Sequence, residues 1–190
     1  MIRLAIFASG SGTNAENIFQ YFQNHDFIKV SCLLSNKQDA FVLERAKKWQ
    51  ISAYVFNKAD LYENKKVAEI LEKEQIDWII LAGFLWLMPS WIVEKYPKKI
   101  INIHPALLPK YGGKGMYGMK VHQAVWENKE AFTGITIHYV NAVYDEGEII
   151  FQAQTSISPA DTPETIAEKV HQLEYEHFPA VIEKTIQTRQ

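Results

Sequence analysis

The sequence predicts an α/β fold, a doubly wound and mostly parallel sheet that ends in an antiparallel hairpin and a final helix. Short apolar runs alternate with helical patterns through the first hundred residues, as in parallel sheets covered on both faces. A glycine-rich turn joins the first run to the first helical pattern. Near the C-terminus, two runs alternate between polar and apolar residues, which is typical of half-buried antiparallel strands.

The first half of the chain contains five predicted strands, at residues 4–8, 30–34, 53–56, 78–81 and 100–103. The intervening patterns predict helices over residues 14–23, 41–49 and 61–74. Since no parallel pair can be joined by a tight turn, these helices serve as crossovers between neighbouring strands.

The second half begins with a glycine-rich stretch at residues 111–118, which predicts a loop, and continues with a helix over Met119–Glu127. Residues 134–140 and 148–154 predict the hairpin. Asp161-Thr162-Pro163-Glu164 is a strong start for the final helix. With no repeat or linker in the sequence, we expect one domain over residues 1–190.

Composition excludes several classes of function. Hydrophobic residues make up 47% and charged residues 22%, and the formal net charge of −2 gives no basis for binding nucleic acid or an anionic membrane. Cys32 is the single cysteine, so an internal disulfide and a cysteine-built metal site are excluded. The first residues follow a strand pattern rather than that of a signal peptide, and we expect a cytoplasmic protein.

The run Ser9-Gly10-Ser11-Gly12-Thr13-Asn14, here called the glycine loop, predicts a phosphate site. Glycines let the backbone approach a ligand, and free N–H groups at a helix start favour an anion. One alternative is a simple turn with Thr13 or Asn14 as the N-cap. A second is a dinucleotide site in a redox or sensor module, but the second strand lacks the acidic residue that would hold a ribose.

The run Asn102-Ile103-His104-Pro105 ends the fifth strand and is the best candidate for catalysis. Residues two apart on a strand share a face, so an amide donor and an imidazole can converge on one atom. This pair suits a reaction that builds negative charge on a carbonyl oxygen while a proton moves nearby. The alternative is a strand end whose histidine binds a loop.

Asp145 and His138 are candidates for supporting roles. A carboxylate near His104 would favour the imidazolium and raise its pKa, although Asp145-Glu146-Gly147 also fits a plain hairpin turn. Thr136 and His138 share one strand face, which can point at the crevice. His104, His122, His138 and Asp145 lack the short ligand spacings of metal sites, so we expect no metal. The apolar segment from Gly83 to Met88 fits either a pocket for a flat heteroaromatic ligand or plain core.

With these motifs in place, the chain resembles the folate-dependent formyltransferases over nearly its whole length, which implies a Rossmann-like fold. The resemblance rests on the glycine loop, on Leu81-Ala82-Gly83-Phe84, on Asn102 to Lys110, and on Gly134 to Val140 with Asp145-Glu146-Gly147. The glycine loop and Ile137-His138-Tyr139-Val140 are most similar to the members that act on phosphoribosylglycinamide. The resemblance implies 10-formyltetrahydrofolate as co-substrate, the acceptor's amine as nucleophile, and a place in purine synthesis.

The resemblance also implies roles for individual residues. The implied catalytic residues are Asn102, His104 and Asp145, and Leu108-Pro109 matches a place where the family can carry a cis bond. The implied phosphate-binding residues are Gly12, Thr13 and Asn14; those binding the rest of the acceptor are His171, Gln172, Leu173 and Glu174. The implied folate-binding residues are Leu85, Trp86, Leu87, Met88, Asn102, Asn141, Ala142, Val143, Tyr144 and Asp145.

Three features depart from the family pattern. Trp86 stands where an arginine is often found, Lys58 and Ala59 lie where a second arginine is expected, and the loop at residues 112–118 is longer and lacks histidines. The expected mechanism is direct transfer through a tetrahedral oxyanion that Asn102 and protonated His104 stabilise, in a monomer or homodimer. Related alternatives are methionyl-tRNA formyltransferase and formyltetrahydrofolate deformylase, which normally carry additional domains.

Overall fold

The computed structural model describes residues 1–189. These residues form two compact units, one from Met1 to Ile101 and one from Asn102 onward. The expectation of a single domain stays a prediction. Within residues 1–189, no helix is both long enough and apolar enough to span a membrane.

The elements follow one another in the predicted α/β order. In chain order they are β1 (Ile2–Ala8), α1 (Thr13–Phe22), β2 (Ile28–Ser35), α2 (Val42–Lys48), β3 (Ser52–Val55), α3 (Lys58–Tyr62), α4 (Lys66–Lys73), β4 (Trp78–Leu81), α5 (Ser90–Lys95), β5 (Ile100–His104), α6 (Met119–Glu127), β6 (Phe132–Tyr139), β7 (Ile149–Ser156) and α7 (Pro163–Gln187). Across residues 1–189 the strands form a seven-stranded sheet in the order β3-β2-β1-β4-β5-β6-β7. The predicted fold class is confirmed.

The first unit contains the parallel part of the sheet. Strand β1 pairs in parallel with β2 on one side and with β4 on the other, and β2 pairs in parallel with β3. The seven residues of β1 become fully buried from Leu4 onward, and all of β4 is buried. Continuous burial is what a strand covered on both faces requires, and it explains why these strands appear as unbroken apolar runs in the sequence.

One predicted helix in this unit is wrong. Residues 61–74 form the end of α3 and all of α4 rather than one helix, because Lys65 takes a left-handed conformation with φ of 60°. Helix α3 also begins earlier than predicted, at a capping box in which Asn57 and Asp60 bind each other's backbone N–H groups. The short helix α5, which follows Pro89, was not predicted.

The second unit contains the hairpin and the long final helix. Strands β6 and β7 pair antiparallel, with a register shift between Ile137 and His138. Helix α7 begins after Thr162, whose side chain forms a capping box with Thr165. Pro163 at its first turn confirms the predicted start, since proline fits where an N–H has no intrahelical partner.

Candidate active site

The end of β5 holds the amide of Asn102 and the imidazole of His104, as the sequence predicts. Asn102 is half-buried and its Nδ2 lies 3.1 Å from Nε2 of His138. Nδ1 of His138 lies 2.8 Å from the carbonyl of Tyr139, which only accepts, so Nδ1 carries a proton. In the tautomer with no proton on Nε2, that nitrogen accepts from the Asn102 amide and orients it, and the second N–H of the amide can serve an oxyanion.

His104 is 3% exposed and both of its ring nitrogens face polar groups. Nε2 donates to the backbone carbonyl of Tyr111 at 2.7 Å, while Nδ1 lies 3.5 Å from Oδ2 of Asp145. Burial lowers the pKa of His104 more than Asp145 and the Tyr111 carbonyl raise it. Asp145 acts to raise this pKa, as expected, but the net direction is downward, which disfavours the protonated His104 that was expected to stabilise the oxyanion.

Asp145 joins the cluster from the loop between β6 and β7. Its Oδ2 accepts from the backbone N–H of Gly113 at 2.9 Å, and its Oδ1 lies 3.7 Å from Nε2 of His138. Burial acts to raise the pKa of Asp145, but His138, the charge of His104 and the Gly113 N–H outweigh it and lower that pKa. Asp145 therefore stays ionised beside His104.

Thr136 lies on the same strand as His138, and its side chain hydrogen-bonds backbone groups of the segment after β5. Its hydroxyl donates to the carbonyl of Ala106 at 2.7 Å and accepts from the N–H of Leu108 at 3.0 Å. Gln152 of β7 also donates to this hydroxyl, at 2.8 Å. The role of Thr136 is thus to fix the segment after β5, in which the Leu108–Pro109 bond is cis.

The glycine loop lies in the first unit, between β1 and α1. Gly12 is the N-cap of α1, in a left-handed conformation with φ of 75°, and no side chain caps the helix. The alternative with Thr13 or Asn14 as N-cap is therefore wrong. A Cβ at Gly12 would lie 2.2 Å from Cγ2 of Val42, so both the backbone angle and the packing require glycine.

The segment Leu85, Trp86, Leu87 and Met88 follows β4 and is tied to the glycine loop. Ser9 Oγ accepts from the N–H of Leu85 at 3.1 Å, and the N–H of Ser9 donates to the carbonyl of Gly83. Trp86 is half-buried and contacts the rings of Phe56, Tyr62 and Phe84. Lys58 lies 5.8 Å from the centroid of the Trp86 ring.

The predicted acceptor stretch lies on α7. His171 and Gln172 are exposed, Leu173 is half-buried and Glu174 is 5% exposed. The ring of His171 meets that of His122 on α6 edge to face, with centroids 6.3 Å apart. This contact of His122 could not be predicted from the sequence, because α6 meets α7 only through tertiary packing.

The remaining predicted residues form the loop after β6. Ala142 and Val143 are exposed, Asn141 and Tyr144 are half-buried, and Oδ1 of Asn141 accepts from the N–H of Val143 at 2.9 Å. Among residues 1–189, no group of three or more histidine, cysteine, aspartate or glutamate side chains is placed to hold a metal ion.

Comparison with known proteins identifies the family. The formyl transferase family model matches residues 2–182. The chain belongs to the formyl transferase family. A chloroplastic phosphoribosylglycinamide formyltransferase of Arabidopsis thaliana is 39% identical over 99% of this chain and 68% of its own length. The phosphoribosylglycinamide formyltransferase of Bacillus subtilis is 35% identical over 98% of this chain and 95% of its own length.

Solved structures of the family agree. A crystal structure of phosphoribosylglycinamide formyltransferase from Bacillus halodurans has a TM-score of 0.88 at 35% identity, covering 99% of this chain and 97% of its own. One from Streptococcus pneumoniae has a TM-score of 0.85 at 31% identity, covering 98% and 99%. The resemblance drawn from the sequence motifs is therefore confirmed.

Proposed function

We propose that this protein transfers the formyl group of 10-formyltetrahydrofolate to the amine of phosphoribosylglycinamide, a step of purine synthesis. The observation that carries the proposal is the cluster of Asn102, His104, His138 and Asp145 in a formyl transferase. An oriented amide N–H beside a buried imidazole suits the oxyanion of an acyl transfer. Family relatives of nearly equal length carry the name of this activity.

The proposed transfer is direct. The acceptor amine forms a bond to the formyl carbon, whose oxygen becomes an oxyanion that the free N–H of Asn102 stabilises. The proton that the amine loses is held on Nδ1 of His104, against the ionised Asp145. When the bond from carbon to the folate nitrogen breaks, this proton goes to that nitrogen and the carbonyl forms again. His104 thus begins and ends neutral, which agrees with its lowered pKa.

The binding roles are part of the proposal. Gly12, Thr13 and Asn14 would take the acceptor's phosphate at the start of α1, because the dipole of a helix favours an anion at its N-terminus. The stretch from His171 to Glu174 would bind the rest of the acceptor. The folate would lie against the segment from Leu85 to Met88 and the loop from Asn141 to Asp145. No metal enters the reaction, both substrates are small molecules, and we propose a cytoplasmic monomer or homodimer.

The test is an assay of the purified protein with both substrates and a chelator, followed by folate absorbance and by mass spectrometry of the acceptor. We expect tetrahydrofolate and formylated acceptor in equal amounts. Release of free formate without the acceptor would instead indicate a deformylase. A requirement for added metal would contradict the proposed chemistry.

A further inference from the structure

Helix α2 holds the glycine loop at three points. The N–H of Val42 donates to the carbonyl of Gly10 at 3.1 Å, and the Val42 side chain occupies the space beside Gly12. Nε of Arg45 donates to the carbonyl of Ser11 at 2.8 Å. The loop conformation therefore depends on a helix that comes about thirty residues later in the chain.

The guanidinium of Arg45 is itself held in place. It forms an ion pair with Glu16, which lies in the first turn of α1, and it lies 5.0 Å from the centroid of the Phe41 ring. The Arg45 and Glu16 side chains are only 22% and 20% exposed. Glu16 also accepts from Lys48 at 3.1 Å and from Trp49 Nε1 at 3.0 Å.

The charge of Glu16 affects whether an anion can bind at the start of α1. A carboxylate in the first turn of a helix stabilises the helix dipole, but it also repels any anion that binds to the same N-terminus. The three donors of α2 and its C-cap draw the Glu16 carboxylate into hydrogen bonds and neutralise it. The first turn of α1 can then accept a second negative group.

We propose that Arg45 is a positioning residue for the phosphate of the acceptor. It fixes the Ser11 carbonyl, so that the loop keeps its shape, and it neutralises Glu16, so that a phosphate can bind at the start of α1. This inference rests on the proposed function, because it assigns the phosphate to the glycine loop. Arg45 itself does not touch the reacting atoms.

The test compares Arg45→Met, Glu16→Gln, the double variant and Arg45→Lys. The control is Lys47→Met, which removes one exposed positive charge from the same helix. For Arg45→Met we expect the KM of the acceptor to rise about tenfold, the effect of losing one charge-assisted hydrogen bond. The KM of the folate and kcat should stay close to those of the parent protein.

The double variant separates the two causes. If binding is weakened because Glu16 has lost its ion pair with Arg45, removing the Glu16 charge as well should restore part of the affinity. The acceptor KM of the double variant should then be about threefold above that of the parent, as in a double-mutant cycle between coupled residues. Arg45→Lys should lie between the parent and Arg45→Met, because lysine keeps the charge but not the planar fork.

A second measurement does not depend on turnover. Titration with inorganic phosphate, followed by the NMR amide signals of Gly10 and Gly12, should give weaker binding for Arg45→Met than for Lys47→Met. Equal acceptor KM and equal phosphate affinity in these two variants would overturn the inference. If the parent protein bound phosphate at these amides but formylated no acceptor, the proposed function would fail while the role of Arg45 remained. If Arg45→Met fails to fold, the comparison of Arg45→Lys with Lys47→Met decides.

Discussion

Replacing Asp145 with asparagine removes the charge beside His104 and little else. Asparagine keeps an oxygen for the N–H of Gly113, and it tolerates the left-handed conformation, with φ of 56°, that residue 145 adopts. The variant therefore isolates the electrostatic contribution of the carboxylate.

The size of the effect follows from the distance between His104 Nδ1 and Asp145 Oδ2, which is 3.5 Å. Unit charges this close attract by on the order of 5 kcal/mol at an effective dielectric constant of about 20. Since the Asp145 side chain is 12% exposed, water replaces part of this attraction. If about half of it, roughly 2–3 kcal/mol, stabilises the imidazolium in the transition state, kcat falls by about 30- to 150-fold.

The pH profile of kcat independently tests the direction in which Asp145 shifts the pKa of His104. In the proposed mechanism His104 starts neutral, so kcat rises as the pH rises through its pKa. Asp145 contributes a raising effect to that pKa, and its loss lowers the pKa further. The acidic limb of the profile in Asp145→Asn should therefore move to lower pH.

The assay measures kcat and both KM values from pH 5 to 9, with Glu146→Gln as a control that removes an exposed charge next to Asp145. Both KM values should change little. A kcat within threefold of the parent, or an acidic limb at higher pH, would refute the electrostatic role of Asp145.

Three further predictions concern packing and stability. Gly12→Ala should lower Tm and raise the acceptor KM because its Cβ would overlap Val42, whereas Gly10→Ala meets no atom within 4 Å and should have little effect on Tm; equal Tm values would contradict this. Burial, followed by the charges of His171 and His104, lowers the pKa of His122 to about 4. Below pH 6.5 the unfolded chain takes up a proton at His122, whereas the folded chain does so only near pH 4, so the free energy of unfolding falls across this range. In His122→Phe the free energy of urea unfolding should therefore fall less between these two pH values. Parallel curves for the variant and the parent would contradict this prediction. Thr136→Val removes the hydroxyl that binds the Leu108 N–H and the Ala106 carbonyl. The free energy of urea unfolding should therefore fall by about 1–3 kcal/mol. An unchanged unfolding midpoint would contradict this prediction.

Much of the fold follows from local sequence patterns. The strands covered on both faces appear as unbroken apolar runs, and α6 and the start of α7 coincide with their predicted positions. The separation of α3 from α4 at Lys65 was not predicted, because a lysine in the sequence does not indicate a left-handed backbone conformation. Helix α5 was missed because six residues are too few to show a helical period.

The candidate site was predictable where one strand provides two side chains. The spacing of Asn102 and His104 predicts a common strand face. The local sequence at Asp145, in contrast, indicates no more than a hairpin turn. The lowered pKa of His104 was not predictable, since the burial that lowers it comes from tertiary packing. Contacts such as that of Arg45 with Ser11 join residues 34 positions apart, and no local pattern specifies them.

In the proposed mechanism the amide of Asn102 stabilises the oxyanion of formyl transfer, and the variant Asn102→Ala removes that donor. We predict that kcat falls by about 10²–10³, the usual cost of one oxyanion donor, while both KM values and Tm stay near those of the parent. A kcat of Asn102→Ala close to that of the parent protein would show that this amide does not stabilise the oxyanion.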